Sequence, residues 1–350
     1  MNFEKTALLA LAHHVPDTAH TSDELEEKLS VVYDKLKLPK GRLELMTGIK
    51  ERRLWPVGTR PSDLSTRAAL NLKEENNQSF EDVDLLIHAS VCRDFLEPST
   101  ASVVHANLSL NPGCMIFDLS NACLGVINGI TMAAQMIERG QIRKALIVSG
   151  ENGGPLVEDT ISGLKEKVAN GEINRKSIKK YIANLTIGSA ATAILLGPNE
   201  NNAPLLKHAV VRTDSSANIL CQGDGNPHGL MMETDSEALM LKGVALAKET
   251  WAKFKEESGW REKDLNWVLT HQVGKSHEEL TLKTLECQEV PTFRTYPYFG
   301  NTGSSALPLT LSMLNQSKDR PLNQTKGKVA LMGIGSGLTS IILGLEWGQL

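Results

Sequence analysis

The chain alternates short, almost wholly apolar runs with longer segments in which apolar residues return at every third or fourth position. A short apolar run bounded by turn-forming residues is typical of a buried strand, whereas the wider spacing is typical of an amphipathic helix. Predicted strands cover residues 7–12, 84–89, 114–119, 144–149, 189–196, 264–270, 328–332 and 340–345. Predicted helices cover 126–137, 241–254 and 304–314, and another follows the capping-box sequence Thr-Ser-Asp-Glu at 21–24. The apolar stripe of the helix at 241–254 is predicted to run through Leu241, Val244, Ala245, Trp251 and Phe254, with an interruption at Lys248.

Strand, helix and strand follow one another in a similar order in both parts of the chain, which favours an α/β fold built from two similar halves. The strand that closes the chain, SIILGLEW, resembles the SAATAILLG that closes the first half. A stretch rich in turn-forming residues at 197–204 is predicted as the linker between halves 1–200 and 201–350. The charged segment 152–187 is interpreted as an insertion that walls a substrate pocket. A chance similarity between α/β segments is the alternative to duplication.

The composition excludes several classes of protein. Of the 350 residues, 41% are hydrophobic and 22% charged, and the formal net charge is only -4, so no nucleic-acid-binding face is predicted. The apolar stretch 7–12 is too short for a signal peptide, and no run reaches membrane-spanning length. We therefore expect a cytoplasmic protein without a membrane span. The 5 cysteines include no C-x-x-C pair, so neither a metal site nor a disulfide framework is predicted.

One cysteine is distinguished by its position. Cys123 lies in Ser-Asn-Ala-Cys-Leu-Gly at 120–125, between a predicted strand and a predicted helix. A thiol attacks a carbonyl carbon as the thiolate, and the unpaired N–H groups at a helix start are expected to lower its pKa. Gly125 permits a close approach of the backbone at this turn. The competing interpretation is a small buried residue between strand and helix.

A cysteine nucleophile needs a histidine nearby in space. His271 is the best placed, because it follows the predicted strand 264–270. His277 is interpreted as a solvated helix residue, with a supporting partner of His271 as the alternative. Asn301 lies between two glycines just before a predicted helix, although a turn asparagine is the simpler interpretation. The glycine-rich segment 333–337 lacks the lysine of a P-loop, so it is either a tight hairpin or a source of backbone N–H groups for an oxyanion.

These motifs, taken in order, resemble the thiolase superfamily in the branch of β-ketoacyl-ACP synthase III. The residues that carry the resemblance are TGIKERR at 47–53, DLSNACLG at 118–125, HQV at 271–273, GNTG at 300–303 and GSGLT at 335–339. The similarity spans nearly the whole chain. It implies a thiolase-like five-layer αβαβα fold with two duplicated halves, assembled as a homodimer.

The resemblance also implies roles for individual residues. Cys123 would take the acyl group from a coenzyme A thioester, without a cofactor. His271 and Asn301 would bind the thioester oxygen of the second substrate through side-chain N–H groups. The backbone N–H groups of Cys123 and Gly337 would form the other oxyanion hole.

A single residue indicates the branch. The fatty-acid initiating synthases carry an aromatic residue before a Pro-Ser pair, in a stretch that reaches the partner subunit's pocket, whereas this chain has Glu97 there. A glutamate is similar to the OleA-type acyl-CoA condensing enzymes of olefin biosynthesis. A plain acyl-CoA has no carboxylate to lose, so a base must remove its α-proton, and a carboxylate in a partly dry channel suits that task. A solvated loop glutamate is the alternative.

The predicted function is therefore the non-decarboxylative Claisen condensation of two fatty acyl-CoA molecules. An acyl-Cys123 intermediate would lead to a 2-alkyl-3-oxoalkanoate, with Glu97 acting in the partner's active site. The alternative is a decarboxylating β-ketoacyl-ACP synthase III that condenses acyl-CoA with malonyl-ACP, and the lysines near 165–180 would then bind the acyl carrier protein. A non-catalytic binding protein on this fold is a third interpretation.

The contacts to coenzyme A depart from the family pattern. Initiating synthases place a tryptophan and an arginine just before the Thr-Gly-Ile stretch, and these hold the adenine. This chain has Arg42 and Met46 at those places. Substrate binding is therefore assigned to Arg52, Arg53 and Trp55.

Overall fold

A computed structural model of the chain describes residues 1–199, 203–226, 229–317 and 327–348. The strands are β1 (Thr6–His14), β2 (Ala19–Thr21), β3 (Glu51–Arg53), β4 (Leu85–Ala89), β5 (Met115–Leu119), β6 (Ala145–Glu151), β7 (Ala190–Pro198), β8 (Leu205–Thr213), β9 (Cys221–Asn226), β10 (Gly229–Thr234), β11 (Leu265–Thr270), β12 (Gly327–Gly335) and β13 (Thr339–Trp347). The helices are α1 (Ser22–Lys28), α2 (Ser30–Leu36), α3 (Arg42–Thr47), α4 (Pro61–Glu75), α5 (Thr100–Asn107), α6 (Gly125–Glu138), α7 (Gly154–Ala169), α8 (Ser236–Ser258), α9 (Lys275–Thr284), α10 (Tyr296–Phe299) and α11 (Ala306–Gln316). Short 3-10 helices cover Ser177–Thr186, Ser215–Leu220, Glu262–Asp264 and Gly303–Ser305.

The main sheet has the strand order β11-β12-β13-β8-β1-β7-β6-β4-β5. In the first half, β7 is antiparallel to β1 and β6, and β4 is parallel to β6 and β5. The four strands of the second half repeat the arrangement of β1, β7, β6 and β4, because β13 is antiparallel to β8 and β12, and β11 is parallel to β12, while β5 has no counterpart among the described strands. The halves join where Ala7 of β1 pairs with Leu205 of β8. Equal order and direction support the duplication that the sequence predicts, while the predicted boundary at residue 200 lies outside the described residues.

The helices form three layers around these strands. Helices α6 and α11 pack between the two halves of the sheet, in a central core that includes Ile130, Leu311 and strand residues from both halves. Helix α4 covers the outer face of the first half through Leu64 and Leu72, and α8 covers that of the second half through Trp251. The layers therefore follow the order helix, sheet, helix, sheet, helix, which is the five-layer architecture expected from the sequence.

Local sequence signals explain where the helices begin and which side they bury. The predicted capping box is present, because Thr21 Oγ1 accepts the N–H of Glu24 at 3.1 Å and the Glu24 carboxylate accepts the N–H of Thr21 at 2.8 Å. The predicted stripe of α8 is wrong in part, since Leu241 is 54% exposed and Ala245 is also exposed. The buried face consists of 243, 244, 246, 247, 250, 251 and 254, and Lys248 lies outside it.

The segment 152–187 folds as α7 and the 3-10 helix Ser177–Thr186. Its apolar residues, including Leu164 and Tyr181, form one cluster with Leu25 and Val32 of the N-terminal helices. The Asn184 side chain also donates to the carbonyl of Met232 at 3.0 Å, which fastens the segment to the β9–β10 hairpin. No helix in the described ranges combines the length and the apolar character that a membrane span requires.

Candidate active site

Cys123 lies in the turn that joins β5 to α6, as the sequence predicts. The turn is tight, because Ala122 has a φ of 46° and Leu124 N donates to the carbonyl of Asn121 at 3.0 Å. A Cβ on Gly125 would lie 2.9 Å from Ser304 Oγ, so a glycine is needed where the second half of the chain approaches this turn. The side chain of Cys123 is partly exposed and therefore open to a substrate.

The resting thiol of Cys123 is neutral. Burial, followed by the negative charge of Glu151, raises its pKa to about 12. Hydrogen bonds from the backbone N–H of Cys123 itself and from the side chain of Asn301 partly offset this rise. The lowered pKa expected from the sequence is therefore wrong, because desolvation outweighs the donors and α6 begins only at Gly125. The attack on a thioester accordingly needs a group that accepts the thiol proton.

Asn301 lies in the loop before α11 and faces the sulfur. Its backbone is fixed on both sides, because Asn301 N donates to the carbonyl of Thr186 and its carbonyl accepts the N–H of Gly188, each at 2.9 Å. Its Oδ1 accepts the N–H of Gly303 at 3.1 Å, which leaves the amide NH2 for the site. A Cβ on Gly300, whose φ is +65°, would lie 2.5 Å from the Thr186 carbonyl, so only glycine fits there.

Asn301→Asp is expected to slow the reaction of Cys123 with iodoacetamide by about tenfold at pH 8, since a carboxylate facing the sulfur raises the pKa of a thiol. The rate is measured on the peptide that contains Cys123. Asn107→Asp, which adds the same charge on the exposed end of α5, is the control and keeps the wild-type rate. An unchanged rate in the Asn301 variant would show that this side chain does not face the thiol.

His271 directly follows β11, and its ring is buried with 2% of the residue exposed. Neither ring nitrogen has a hydrogen-bond partner within the described part of the chain. Burial and the neighbouring His277 lower the pKa of His271 to about 3, so the ring is neutral. A neutral imidazole carries one N–H donor and one free acceptor, which suits both oxygen binding and proton transfer. His277 is largely buried against His271, and burial lowers its pKa to about 4, which does not fit the predicted solvated residue.

Gln272 connects the histidine to the asparagine loop, a role that the sequence analysis did not assign. Its Nε2 donates to the carbonyl of Thr270 at 2.9 Å, and its Oε1 accepts the N–H groups of Thr295 at 2.8 Å and Tyr296 at 3.2 Å. The side chain thus fastens the end of β11 to α10, the helix that leads into the Asn301 loop. Its place within His-Gln-Val was the available sequence signal, but its partners lie too far away in sequence to be predicted.

The glycine-rich segment forms the turn between β12 and β13, as the hairpin interpretation predicts. A Cβ on Gly335 would lie 2.9 Å from Leu124 Cγ, which places this end of β12 beside the Cys123 turn. Gly337 has a φ of +98° and is exposed. The oxyanion hole that the backbone N–H groups of Cys123 and Gly337 would form stays a prediction.

Glu97 lies at the apex of the loop between β4 and α5. The base of this loop is fixed, because Asp94 Oδ1 accepts the N–H of Ser62 at 2.9 Å and Asp94 N donates to Thr100 Oγ1 at 3.1 Å. Its apex projects outward, with Leu96 94% exposed and Glu97 also exposed. The loop therefore presents a carboxylate and an apolar side chain away from the body of the molecule.

The three residues assigned to coenzyme A differ in accessibility. Arg52 is completely buried, and its guanidinium donates to the carbonyl of His20 at 3.3 Å and to Ser22 Oγ at 3.1 Å. A direct contact between Arg52 and coenzyme A is therefore not supported by its position. Arg53 and Trp55 are partly exposed. Arg53 Cζ lies 5.4 Å from the centroid of the Phe299 ring, and the ring centroids of Trp55 and His14 are 4.9 Å apart. These two remain the predicted contacts.

Comparisons with known proteins show the family that this chain is similar to. The sequence profile for 3-oxoacyl-[acyl-carrier-protein] synthase III matches residues 117–161, and the profile for the C-terminal part of that family matches residues 256–347. The chain is 34% identical to the acyl-CoA:acyl-CoA alkyltransferase of Xanthomonas campestris, over 99% of this chain and 100% of the relative. It is 33% identical to the acyl-CoA:acyl-CoA alkyltransferase of Shewanella oneidensis, with the same coverage.

A solved structure extends the agreement to the fold. The crystal structure of Xanthomonas campestris OleA superposes with a TM-score of 0.92 at 34% identity, covering 99% of this chain and 98% of the other. A more distant relative, the β-ketoacyl-[acyl-carrier-protein] synthase III of Clostridium tetani, is 27% identical over 87% of this chain. The chain thus belongs to the thiolase superfamily of acyltransferase enzymes, in the 3-oxoacyl-[acyl-carrier-protein] synthase III group and its OleA-type branch.

Proposed function

We propose that this protein catalyses the non-decarboxylative Claisen condensation of two fatty acyl-CoA molecules through an acyl-Cys123 intermediate. Full-length similarity to two acyl-CoA:acyl-CoA alkyltransferases supports the class of reaction. The observation that carries the proposal is the position of Glu97, a carboxylate at the exposed apex of a fixed loop. A decarboxylating enzyme forms its carbanion by losing CO2 and does not need such a base.

The first half-reaction transfers an acyl group to the sulfur. Cys123 attacks the thioester carbon of one acyl-CoA, and its thiol proton passes through the neutral imidazole of His271 to the departing coenzyme A thiolate. A thioester bond forms at Cys123 while the bond to coenzyme A breaks. Backbone N–H groups of Cys123 and Gly337 would stabilise the oxyanion of the tetrahedral intermediate.

The second half-reaction forms the carbon–carbon bond. Glu97 removes the α-proton of a second acyl-CoA, whose thioester oxygen accepts hydrogen bonds from His271 and Asn301. The resulting carbanion attacks the acyl-Cys123 thioester and displaces the cysteine thiolate, which recovers the proton held by Glu97. The product is a 2-alkyl-3-oxoacyl-CoA, and hydrolysis by water releases it as the 2-alkyl-3-oxoalkanoate and coenzyme A.

Two observations support a homodimer in which Glu97 serves the partner's site. Among the described strands β5 ends the sheet, and none of its residues is fully buried, with Met115 49% exposed, in contrast to the fully buried β4. An unpaired strand edge is a template for a strand of a second chain. Met132 of α6 and Leu96 of the Glu97 loop are likewise 45% and 94% exposed, so these surfaces would be covered in the same dimer.

The Xanthomonas structures supply a further argument. Crystals of that OleA were solved with a glutamate replaced and, separately, with a cysteine replaced. The two replaced positions are separated by the same interval as Glu97 and Cys123 in this chain. The equal spacing supports the pairing of these two residues in one reaction.

The second candidate function is that of a decarboxylating β-ketoacyl-ACP synthase III, and the Clostridium tetani relative favours it. The segment 165–180 would then bind an acidic acyl carrier protein through exposed cations. Lys165, Arg175, Lys176 and Lys179 are exposed. Lys167 and Lys180 of the same segment are paired with Glu172 and Glu233.

One incubation separates the two functions. With a single long-chain acyl-CoA and no malonyl donor, the pure protein is expected to release coenzyme A and form a 2-alkyl-3-oxoalkanoate. Mild heating converts this β-keto acid to a ketone, which mass spectrometry detects. Product that forms only when malonyl-ACP is added would overturn the proposal and establish the decarboxylating function.

A further inference from the structure

Glu151 is a buried carboxylate that the steps above do not use. It ends β6 with only 4% of the residue exposed. Its Oε1 accepts the N–H groups of Val91 and Ser304, each at 3.0 Å, and its Oε2 accepts the N–H of Cys92 at 3.2 Å. Three charge-assisted hydrogen bonds to main-chain donors make this carboxylate a strong local anchor.

The three donors belong to two separate loops. Val91 and Cys92 begin the loop whose apex carries Glu97, whereas Ser304 follows the loop that carries Asn301. A single side chain therefore fixes the bases of both loops. The approach is close, because a Cβ on Gly303 would lie 3.1 Å from Glu151 Oε1.

The connection continues to the nucleophile through Ser304. While the Ser304 N–H donates to Glu151, its hydroxyl oxygen accepts the N–H of Val126 at 2.9 Å. Val126 lies in the first turn of α6, just after the Cys123 turn. Glu151 is thus linked by hydrogen bonds to the elements that carry all three of Cys123, Asn301 and Glu97.

The pKa of the Cys123 thiol is consistent with this link. After burial, the charges of Glu151 at the end of β6 and of Cys221 at the start of β9 raise this pKa, and a hydrogen bond from Asn301 lowers it. Among these, Glu151 contributes the largest electrostatic rise in the pKa of the Cys123 thiol. Burial raises the pKa of Glu151 itself, and the three main-chain donors and the Cys92 thiol oppose that rise.

We propose that Glu151 is a positioning residue whose buried carboxylate holds the Glu97 and Asn301 loops in register with Cys123. This inference rests on the proposed role of Cys123 in condensation. A change of charge and a change of length at Glu151 are therefore expected to have different consequences.

The experiment compares Glu151→Gln, which keeps the length, with Glu151→Asp, which keeps the charge. The readout is the rate of iodoacetamide alkylation at Cys123 at pH 8, followed by mass spectrometry of its peptide. E151Q is expected to raise this rate by about tenfold, because removal of a nearby negative charge lowers the pKa of a thiol, whereas E151D keeps the wild-type rate. Glu138→Gln is the matched control, because Glu138 Oε1 accepts the N–H groups of Lys5 and Thr6, each at 2.8 Å, at the far end of α6.

Condensation by the same variants tests the positioning effect. E151D, one methylene shorter, is expected to lose at least about tenfold in condensation rate because it cannot reach both loops. An unchanged alkylation rate in E151Q overturns the link between Glu151 and Cys123, and wild-type condensation by E151D overturns the positioning role. If E151Q does not fold, the condensation rate of E151D alone tests the proposal. If wild-type protein condensed no acyl-CoA, the proposed function would fail, while the alkylation rates would still test the link between Glu151 and Cys123.

Discussion

Cys123→Ala is expected to abolish condensation, by at least about 10⁴-fold, and to leave no acyl-enzyme. The thiol is the group that forms the covalent bond, and neither His271 nor Asn301 can replace it as a nucleophile. Its loss removes one sulfur from a partly exposed turn, so the substitution leaves the core clusters intact. The melting temperature should therefore stay close to that of the wild type.

Intact-mass spectrometry after incubation with a long-chain acyl-CoA measures this directly. The wild-type chain gains the mass of one acyl group, and the C123A chain gains none. Cys287→Ala is the control, because Cys287 is a fully buried cysteine in the outer core of the second half. That variant loses stability but still becomes acylated. An acylated C123A chain would show that another residue is the nucleophile.

Glu97→Ala is expected to keep acylation at Cys123 and to lose condensation by about 10² to 10⁴-fold, the usual contribution of a general base. The acyl-enzyme should accumulate, because the electrophile forms and the nucleophilic carbanion does not. Folding is unaffected, since Glu97 is exposed at the apex of its loop. The measurement combines the intact mass of the chain with the yield of 2-alkyl-3-oxoalkanoate.

Two further variants serve as controls for the loss of condensation in E97A. Glu97→Asp retains a carboxylate and is expected to recover part of the condensation rate. Glu81→Ala removes another exposed loop glutamate, just before β4, and should leave both steps unchanged. Wild-type condensation by E97A would rule out Glu97 as the base.

The apolar runs predicted the strands closely because each central strand is buried on both faces. All residues of β4 and β6 are buried. Their sequences are accordingly apolar as far as His88 in β4 and Ser149 in β6. The face of α8 was predicted less well. Its buried positions include Gly243 and Thr250, which are not apolar in the pattern, whereas Leu241 points to solvent. The packing partners, and not the composition of the helix, decide which face is buried.

The sequence indicates candidate site residues where one local motif carries the chemistry, as for Cys123, His271 and Asn301, and their catalytic roles remain predictions. A site residue was missed where the function depends on contacts between distant segments. Glu151 and Ser304 meet across 153 positions of the chain, and although Ser304 follows the GNTG motif directly, Glu151 belongs to no recognised motif. A carboxylate ending the apolar strand Ala-Leu-Ile-Val-Ser-Gly-Glu was the only local signal for Glu151. The direction of the Cys123 pKa was wrong for the same reason, since desolvation depends on the whole fold.

The central claim is that one active site combines Cys123 of one subunit with Glu97 of its twin. Mixed dimers test it most directly: C123A and E97A chains, each inactive alone, are unfolded, combined in equal amounts and refolded. Each heterodimer then contains one complete site, so random mixing should restore about a quarter of wild-type condensation per chain. Mixed dimers that stay inactive, although wild-type chains refolded in the same way are active, would contradict the claim that the base is supplied across the interface.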